Sequence, residues 1–268
     1  MSVKESNLSS FKELLKSSKN RLITGVILII ALIIILWIDN LILTWAILGI
    51  IFLIGMQEAC VLYKTSFNIQ KIIISIVIWV VAYFVSHPVY LGIFAWVLLS
   101  GIKAFRGESE ERNEINEIKP FLYPSVMFLA LYDIYANFGT YAFVWLIVVV
   151  ALTDTLAYIG GRQFGKHKLT KTSPNKTIEG TIIGVIIGSA IGSLVGLGVV
   201  EGFWVSLVFS FIISVLSVLG DIYESFLKRS VDVKDSGSLL PGHGGVLDRL
   251  DGLLFGAIAM LLVFYVLV

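Results

Sequence analysis

Polar chemistry is concentrated near the C-terminal end of this chain. Ser225, Lys228 and Arg229 are followed by Lys234 and Asp235, then by His243-Gly244-Gly245, then by Asp248, Arg249 and Asp251. The stretch lies between two apolar runs and interleaves carboxylates, cations and glycines, as a site for a metal and a phosphorylated ligand requires. Asp248 and Asp251 stand at i and i+3 where the last apolar run begins. A helix puts such a pair on one face, where both can address one cation. Hard oxygen ligands suit Mg²⁺, which takes one or two carboxylates, keeps waters and binds substrate phosphates. Asp221, Glu224, Ser225, Lys228 and Asp232 form a second polar stripe at helical spacing. The competing reading makes these carboxylates interfacial helix caps that pair with Arg249 and Lys228. For Asp251 alone both readings stay open.

A second constellation lies upstream. Asp154, Ala157, Tyr158 and Gly161 share one helical stripe, and a carboxylate in so apolar a stretch is costly enough to point to function. The loop after it carries Arg162, Gly165 and Lys166, then Ser173-Pro174, Lys176-Thr177 and Glu179-Gly180. Arg and Lys supply charge for phosphate oxygens, and glycines expose backbone N–H groups. Gly160 to Lys166 nearly fits a P-loop. His167 stands where the magnesium-binding hydroxyl belongs, and a membrane helix rather than a strand precedes it, so a P-loop is rejected. The plainer alternative is a basic loop that merely obeys membrane topology. His243-Gly244-Gly245 is not an esterase oxyanion loop, because no G-x-S-x-G elbow exists to use it; His243 orients its loop or touches a phosphate. Glu58, at the end of the second apolar run, reads equally as a buried polar contact or as an active group.

These groups sit in a chain built for lipid. Hydrophobic residues make up 57%, charged residues 15%, and mean hydropathy is +0.92. A soluble domain carries about 25% charged residues, so this chain has too few to cover a water-facing surface. Net charge near +1 gives no sign of nucleic-acid binding, and a single cysteine, Cys60, excludes an internal disulfide. Apolar runs predict nine membrane spans, near 22–38, 40–57, 72–86, 88–102, 120–136, 138–156, 181–200, 203–220 and 250–268. The third and fourth are short for a spanning helix and meet at a turn at His87-Pro88. All 20 Lys and Arg fall in alternate loops, while the opposite loops hold only Asp39, Asp133 and Glu201. The positive-inside rule then places the N-terminus and every basic loop in the cytoplasm. Leu8, Phe11, Leu14 and Leu15 among lysines read as an amphipathic surface helix or as a disordered cationic tail. The acidic loop 107–117 reads as a solvated linker or helix with no chemistry. Gly184, Gly188, Gly192 and Gly196 form a small-residue stripe for close helix packing, with a dimer seam as the sharper alternative.

Both constellations resemble the phosphatidate cytidylyltransferase (CDP-diacylglycerol synthase) family. The first matches S-x-apolar-K-R, then K-D, then H-G-G-apolar-x-D-R-apolar-D, with Ser225, Lys228, Arg229, Lys234, Asp235, Gly237, His243, Gly244, Gly245, Asp248, Arg249 and Asp251 in place. The second matches D-x-x-A-Y-x-x-G-R-x-x-G-K and S-P-x-K-T-x-E-G. The specific likeness covers residues 120–268, a catalytic membrane region. Residues 1–119, the arm and first four helices, resemble the family only in hydropathy.

The resemblance implies an all-α, polytopic integral membrane enzyme of the cell (inner) membrane with its active site facing the cytoplasm. It implies joining of CTP and phosphatidic acid to give CDP-diacylglycerol and pyrophosphate, Mg²⁺ dependence with K⁺ nearby, and a homodimer. On this reading Asp221 and Asp248 ligate Mg²⁺, with Asp251 a third ligand or a partner behind them. Lys176 and Lys228 join Asp221 and Asp248 as catalytic residues. Arg162, Lys166, Ser225, Arg229, Lys234, His243, Gly244, Gly245 and Arg249 bind substrate phosphates, and Asp154 is a further candidate. The substrate's own phosphate can act as nucleophile, so no Ser-His or Cys-His pair is needed. The alternatives are a CTP-dependent lipid kinase of related architecture and a transporter with a basic cytoplasmic gate. The D-x2-D-G-x2-A-R pattern of CDP-alcohol phosphotransferases is absent.

Overall fold

The computed structural model describes residues 23–105 and 117–267. The amphipathic arm around Leu8 to Leu15 and most of the acidic loop at 107–117 lie outside the described residues. The rest is helical: α1 (Ile23–Ile38), α2 (Leu41–Leu62), α3 (Ile69–Ala82), α4 (Val89–Phe105), α5 (Ser125–Phe164), α6 (Ile178–Gly196), α7 (Phe203–Ser230) and α8 (Leu247–Leu267). A 3-10 turn, Lys119–Phe121, precedes α5. Among the described residues no strand forms; only two isolated bridges pair extended backbone.

Helix starts follow local chemistry. Asn40 accepts from the Leu43 N–H at 3.0 Å, and Asn68 from the Lys71 N–H at 3.0 Å. Thr177 does the same for Gly180 at 3.2 Å. Each side chain satisfies one of the amides a helix leaves unpaired at its first turn.

α5 is a hairpin of two helices. Gly139 (φ 78, ψ 178) breaks it, a left-handed conformation that glycine alone adopts without a side-chain penalty. Tyr123, just before α5, packs on Tyr223 and Phe255, and Asp154 near its other end shares a cavity with Asp221 and Asp251. The middle lies at the opposite end of the bundle, where Asp133 accepts from Tyr265 at 2.7 Å and Phe138 stacks on Phe264 at 4.1 Å. The chain therefore runs up through 125–138 and back through 140–164. The hydropathy boundary at residue 137 corresponds to this break.

Packing leaves an apolar exterior. Phe52, Phe128, Trp145, Phe209, Ile213 and Met260 are fully buried, while Trp37, Ile50, Phe94, Leu194 and Leu262 face outward. Such a surface suits hydrocarbon. Five elements are long and apolar enough to cross a membrane: Leu41–Leu62, Lys119–Phe164, Ile178–Gly196, Phe203–Ser230 and Leu247–Val266. α1, α3 and α4 are apolar but shorter. The short third and fourth runs appear as α3 and α4, on either side of His87-Pro88.

The glycine stripe of α6 is spent inside the chain. A Cβ on Gly184 would lie 2.5 Å from the Thr153 carbonyl, and one on Gly188 3.0 Å from the Thr153 backbone. Gly192 meets Val149, and Gly196 meets Trp145. All four glycines are buried. Close packing is therefore the stripe's role. The dimer-seam alternative is overturned for this face, because 140–164 occupies it.

Candidate active site

One cavity of 490 Å³ opens where α5, α6, α7 and α8 converge. The returning half of α5 contributes Asp154, Tyr158 and Arg162; the loop before α6 contributes Ser173, Asn175 and Lys176. Asp221 comes from α7, and Asp248, Arg249 and Asp251 from the first turns of α8. Residues far apart in sequence thus meet because four helices cross at one end of the bundle. Gly220 lets α8 approach beside Asp251, where any side chain would strike the Asp251 carbonyl.

The loop between α5 and α6 holds Lys176 over the cavity. Glu179 Oε2 accepts from the Lys166 and His167 amides at 3.0 and 3.2 Å, and its Oε1 lies 2.6 Å from His167 Nδ1. The Leu169 amide donates to the Lys176 carbonyl at 2.8 Å, closing the loop as a short bridge. Lys176 Nζ then meets Asp221 Oδ2 at 2.5 Å, and Ser225 Oγ donates to Asp221 Oδ1 at 3.4 Å.

Asp248 is tied on both oxygens. Its Oδ1 accepts from Lys228 Nζ at 2.6 Å. Its Oδ2 accepts from the Gly245 and Ser236 amides, both at 2.8 Å, and from Ser236 Oγ at 3.0 Å. Lys228 Nζ also lies 3.2 Å from Glu224 Oε1, whose side chain is fully buried. The Lys228 ammonium therefore stands between two carboxylates, and its charge offsets part of the desolvation cost of each. Asp251 accepts from the Gly252 amide at 2.8 Å.

The remaining sequence candidates divide by place. Lys228 and Ser225 stand behind the cavity wall. Arg249 lines the cavity, and its Nε donates to the His243 carbonyl at 3.0 Å. It also lines a second cavity of 540 Å³, with Lys234, Asp235, His243 and Gly244. Gly244 (φ 81) turns the chain tightly enough for Gly245 to reach Asp248. Lys166 and Arg229 line neither cavity; Lys166 bonds through its backbone, and Arg229 Nη1 donates to the Val233 carbonyl at 3.3 Å. Asp232 leaves the stripe because α7 ends at Ser230. Gly160 and Gly161 are helical and pack against Ile183 and Thr177, so they serve helix approach and form no phosphate cradle. Ser173 at the cavity stood in the S-P-x-K-T-x-E-G match but was given no role, and Glu58, the sole acid within α2, proves to be the buried polar contact against the α8 start. Asn175 at the cavity and Ser236 under Asp248 were not assigned from sequence.

Among the described residues no three His, Cys, Asp or Glu side chains form a metal cage by themselves. Mg²⁺ does not require one, since water and substrate phosphate complete its octahedron. Asp221, Asp248 and Asp251 line one cavity, and carboxylate oxygens are the donor type that a hard divalent cation takes. Arg162, Lys176 and Arg249 on the same wall fit phosphate oxygens.

The profile of the cytidylyltransferase family matches residues 19–267. The chain is 46% identical over 257 residues to a phosphatidate cytidylyltransferase of Helicobacter pylori, covering 96% of this chain and 95% of that protein. It is 45% identical over 136 residues to one of Staphylococcus saprophyticus, covering 50% of this chain and 52% of that protein. A chloroplastic phosphatidate cytidylyltransferase 4 of Arabidopsis thaliana is 49% identical over 113 residues, covering 41% of this chain and 29% of that protein. The match to the family profile takes in nearly all the described helices and both motif loops, so this chain belongs to the cytidylyltransferase family.

Proposed function

We propose that the chain transfers the cytidylyl group of CTP to phosphatidic acid, giving CDP-diacylglycerol and pyrophosphate for phospholipid biosynthesis. The observation that carries this reading is the joining of Asp221, Asp248, Asp251, Lys176 and Arg162 at one cavity in a member of the cytidylyltransferase family. A phosphate oxygen of phosphatidic acid attacks the α-phosphorus of CTP. The new P–O bond forms as the bond to the β-phosphate oxygen breaks, and pyrophosphate leaves with that electron pair. The lipid phosphate is partly dianionic near neutral pH, so no protein base is needed.

The residues supply position and charge. Arg162, Lys176 and Arg249 face the cavity and take phosphate oxygens. Lys228 pairs with Asp248 and, more loosely, with Glu224. Asp221 and Asp248, with Asp251 beside them, would hold Mg²⁺, which when bound offsets charge on the triphosphate. K⁺ beside it, and association as a homodimer, belong to the same proposal through the family resemblance.

Location follows from charge. Nine spans with all 20 Lys and Arg on alternate loops support a cell-membrane protein, inner where there are two. Its N-terminus and cavity then face the cytoplasm, where CTP is found. Five of the described elements are long and apolar enough to cross a membrane by themselves, and the shorter apolar α1, α3 and α4, with α5 taken as two passes, support the remainder.

The test is incubation of the purified chain with phosphatidic acid vesicles and CTP labelled in the base. CDP-diacylglycerol with equimolar pyrophosphate is expected. Release of free CDP with a doubly phosphorylated lipid would instead assign phosphoryl transfer, the chemistry of a lipid kinase.

A further inference from the structure

Glu58 stands on α2, in the part of the chain that lacks the motifs. It is 6% exposed, and both its oxygens are used. Oε1 accepts from the Val246 amide at 2.9 Å; Oε2 accepts from the Leu247 amide at 2.9 Å and from Ser236 Oγ at 2.8 Å. Among the described residues no Lys or Arg pairs with it. Its charge is offset by donors alone, two of them at the start of α8, where the helix dipole favours an anion.

The preceding amide, Gly245, donates to Asp248 instead, and Ser236 Oγ lies within reach of both carboxylates. A hydroxyl has one proton, so Ser236 is shared between Glu58 and Asp248. Three consecutive amides are thus divided between a carboxylate of the cavity and one from a distant helix. The motif glycines fit the same contact. A Cβ on Gly237 would lie 2.5 Å from Glu58 Oε1, its three nearest neighbours all being Glu58 atoms. A Cβ on Gly245 would lie 2.5 Å from each Glu58 oxygen.

We infer that Glu58 is a positioning residue for cytidylyl transfer, pinning the 236–247 loop so that Asp248 and Arg249 stand at the cavity. The inference rests on the functional reading above. A merely structural cap would stabilise α8 without bearing on turnover.

The test uses the full chain in detergent or vesicles. Glu58→Gln keeps the shape but turns one acceptor into an amide donor facing an amide. Outer partners that orient a site typically cost about 10–100-fold when lost, so kcat should fall by about that much. KM for phosphatidic acid should hold and the thermal midpoint should move little, while amide exchange across 236–247 quickens. Gly237→Ala should lower kcat in the parent and add nothing in a Glu58→Ala background, because the three atoms nearest its methyl group all belong to Glu58. Should the Glu58 variants misfold, Ser236→Ala decides: a smaller kcat-selective loss supports positioning, and parental kcat overturns it. Parental kinetics in Glu58→Gln, or a Gly237→Ala cost that adds in full, would also overturn it. If the parent forms no CDP-diacylglycerol, the functional reading fails on its own. The exchange pattern then still decides whether Glu58 holds the loop.

Discussion

Lys176 and Asp221 meet at 2.5 Å across the cavity, one from the loop before α6 and one from α7. Each side chain is about a quarter exposed, 25% and 26%. An ion pair so open to water contributes little to stability, at most ~1 kcal/mol. Its place at a cavity wall fits a lysine that is handed from carboxylate to phosphate.

Lys176→Ala should therefore leave the thermal midpoint nearly unchanged and weaken CTP use. Loss of one charge-assisted contact costs roughly 1.5–3 kcal/mol, or about one to two orders of magnitude in kcat/KM. Steady-state kinetics with varied CTP, beside a melting curve, check it. Unchanged kinetics would return the loop to a role in topology alone.

Asp248→Asn is expected to insert and accumulate yet lose nearly all turnover. Asn keeps the shape, but its amide end cannot accept from Lys228 or from the loop amides, whichever way it points. Asp221→Asn should behave alike, since the two line one cavity from different helices. Substantial activity of Asp248→Asn at ordinary Mg²⁺ would sink the shared-metal proposal. Mg²⁺ binding by calorimetry gives a readout independent of turnover.

Gly184→Val tests the helix seam that carries Asp154 and Arg162. A side chain there strikes the Thr153 carbonyl and Ala157. Overpacking of this kind costs about 1–3 kcal/mol, so a clear fall in the detergent melting midpoint should accompany loss of activity. Gly198→Ala, which meets only one atom at 3.5 Å, should melt like the parent.

Membrane orientation can be read with single cysteines in a Cys60→Ser background. Ser238→Cys should react with an impermeant reagent only from the cytoplasmic side. Glu201→Cys should react from the other side. Both positions are exposed. Labelling of Ser238→Cys from outside would end the proposed topology.

The opposite end of the bundle has its own pH sign. Asp39 accepts from Thr140 and from Tyr135 at 2.9 Å, and these bonds, that of Thr140 foremost, hold its carboxyl below the ordinary value. Its contribution is thus present above the unfolded carboxylate pKa and is lost as pH falls through the lower folded one. Exposure limits the effect to about 1 kcal/mol or less. Asp39→Asn should melt slightly lower at neutral pH, with the difference vanishing in acid.

Much of this molecule could be read locally. Apolar runs marked the helices because a segment in hydrocarbon must bond its own backbone, and that demand is met within each segment. The i, i+3 spacing of Asp248 and Asp251 placed both on one face of α8, since helix geometry is local as well. Asp154 could be chosen by type, because a carboxylate in an apolar stretch is costly and needs a reason, while Arg162, Lys176, Asp221 and Arg249 were chosen through the family resemblance of the two motif stretches. The break at Gly139 was legible to within a few residues as a dip in hydropathy.

Tertiary structure decided what spacing does not encode. Whether the α6 glycines face a second chain or 140–164 is set by which helix packs on that stripe, and Trp145, Val149 and Thr153 do. Sequence already excluded a P-loop at Gly160 and Gly161, but their packing role shows only when Ile183 of α6 and its cap Thr177 are seen against them. Arg229 and Lys228 are neighbours in sequence, yet one points to Val233 and the other binds Asp248, because adjacent helical residues diverge by about 100°. The contact of Glu58 with Val246 spans 188 positions. No local pattern contains it, because it exists only once α2 packs beside the start of α8 and buries a carboxylate against amides that have no other partner.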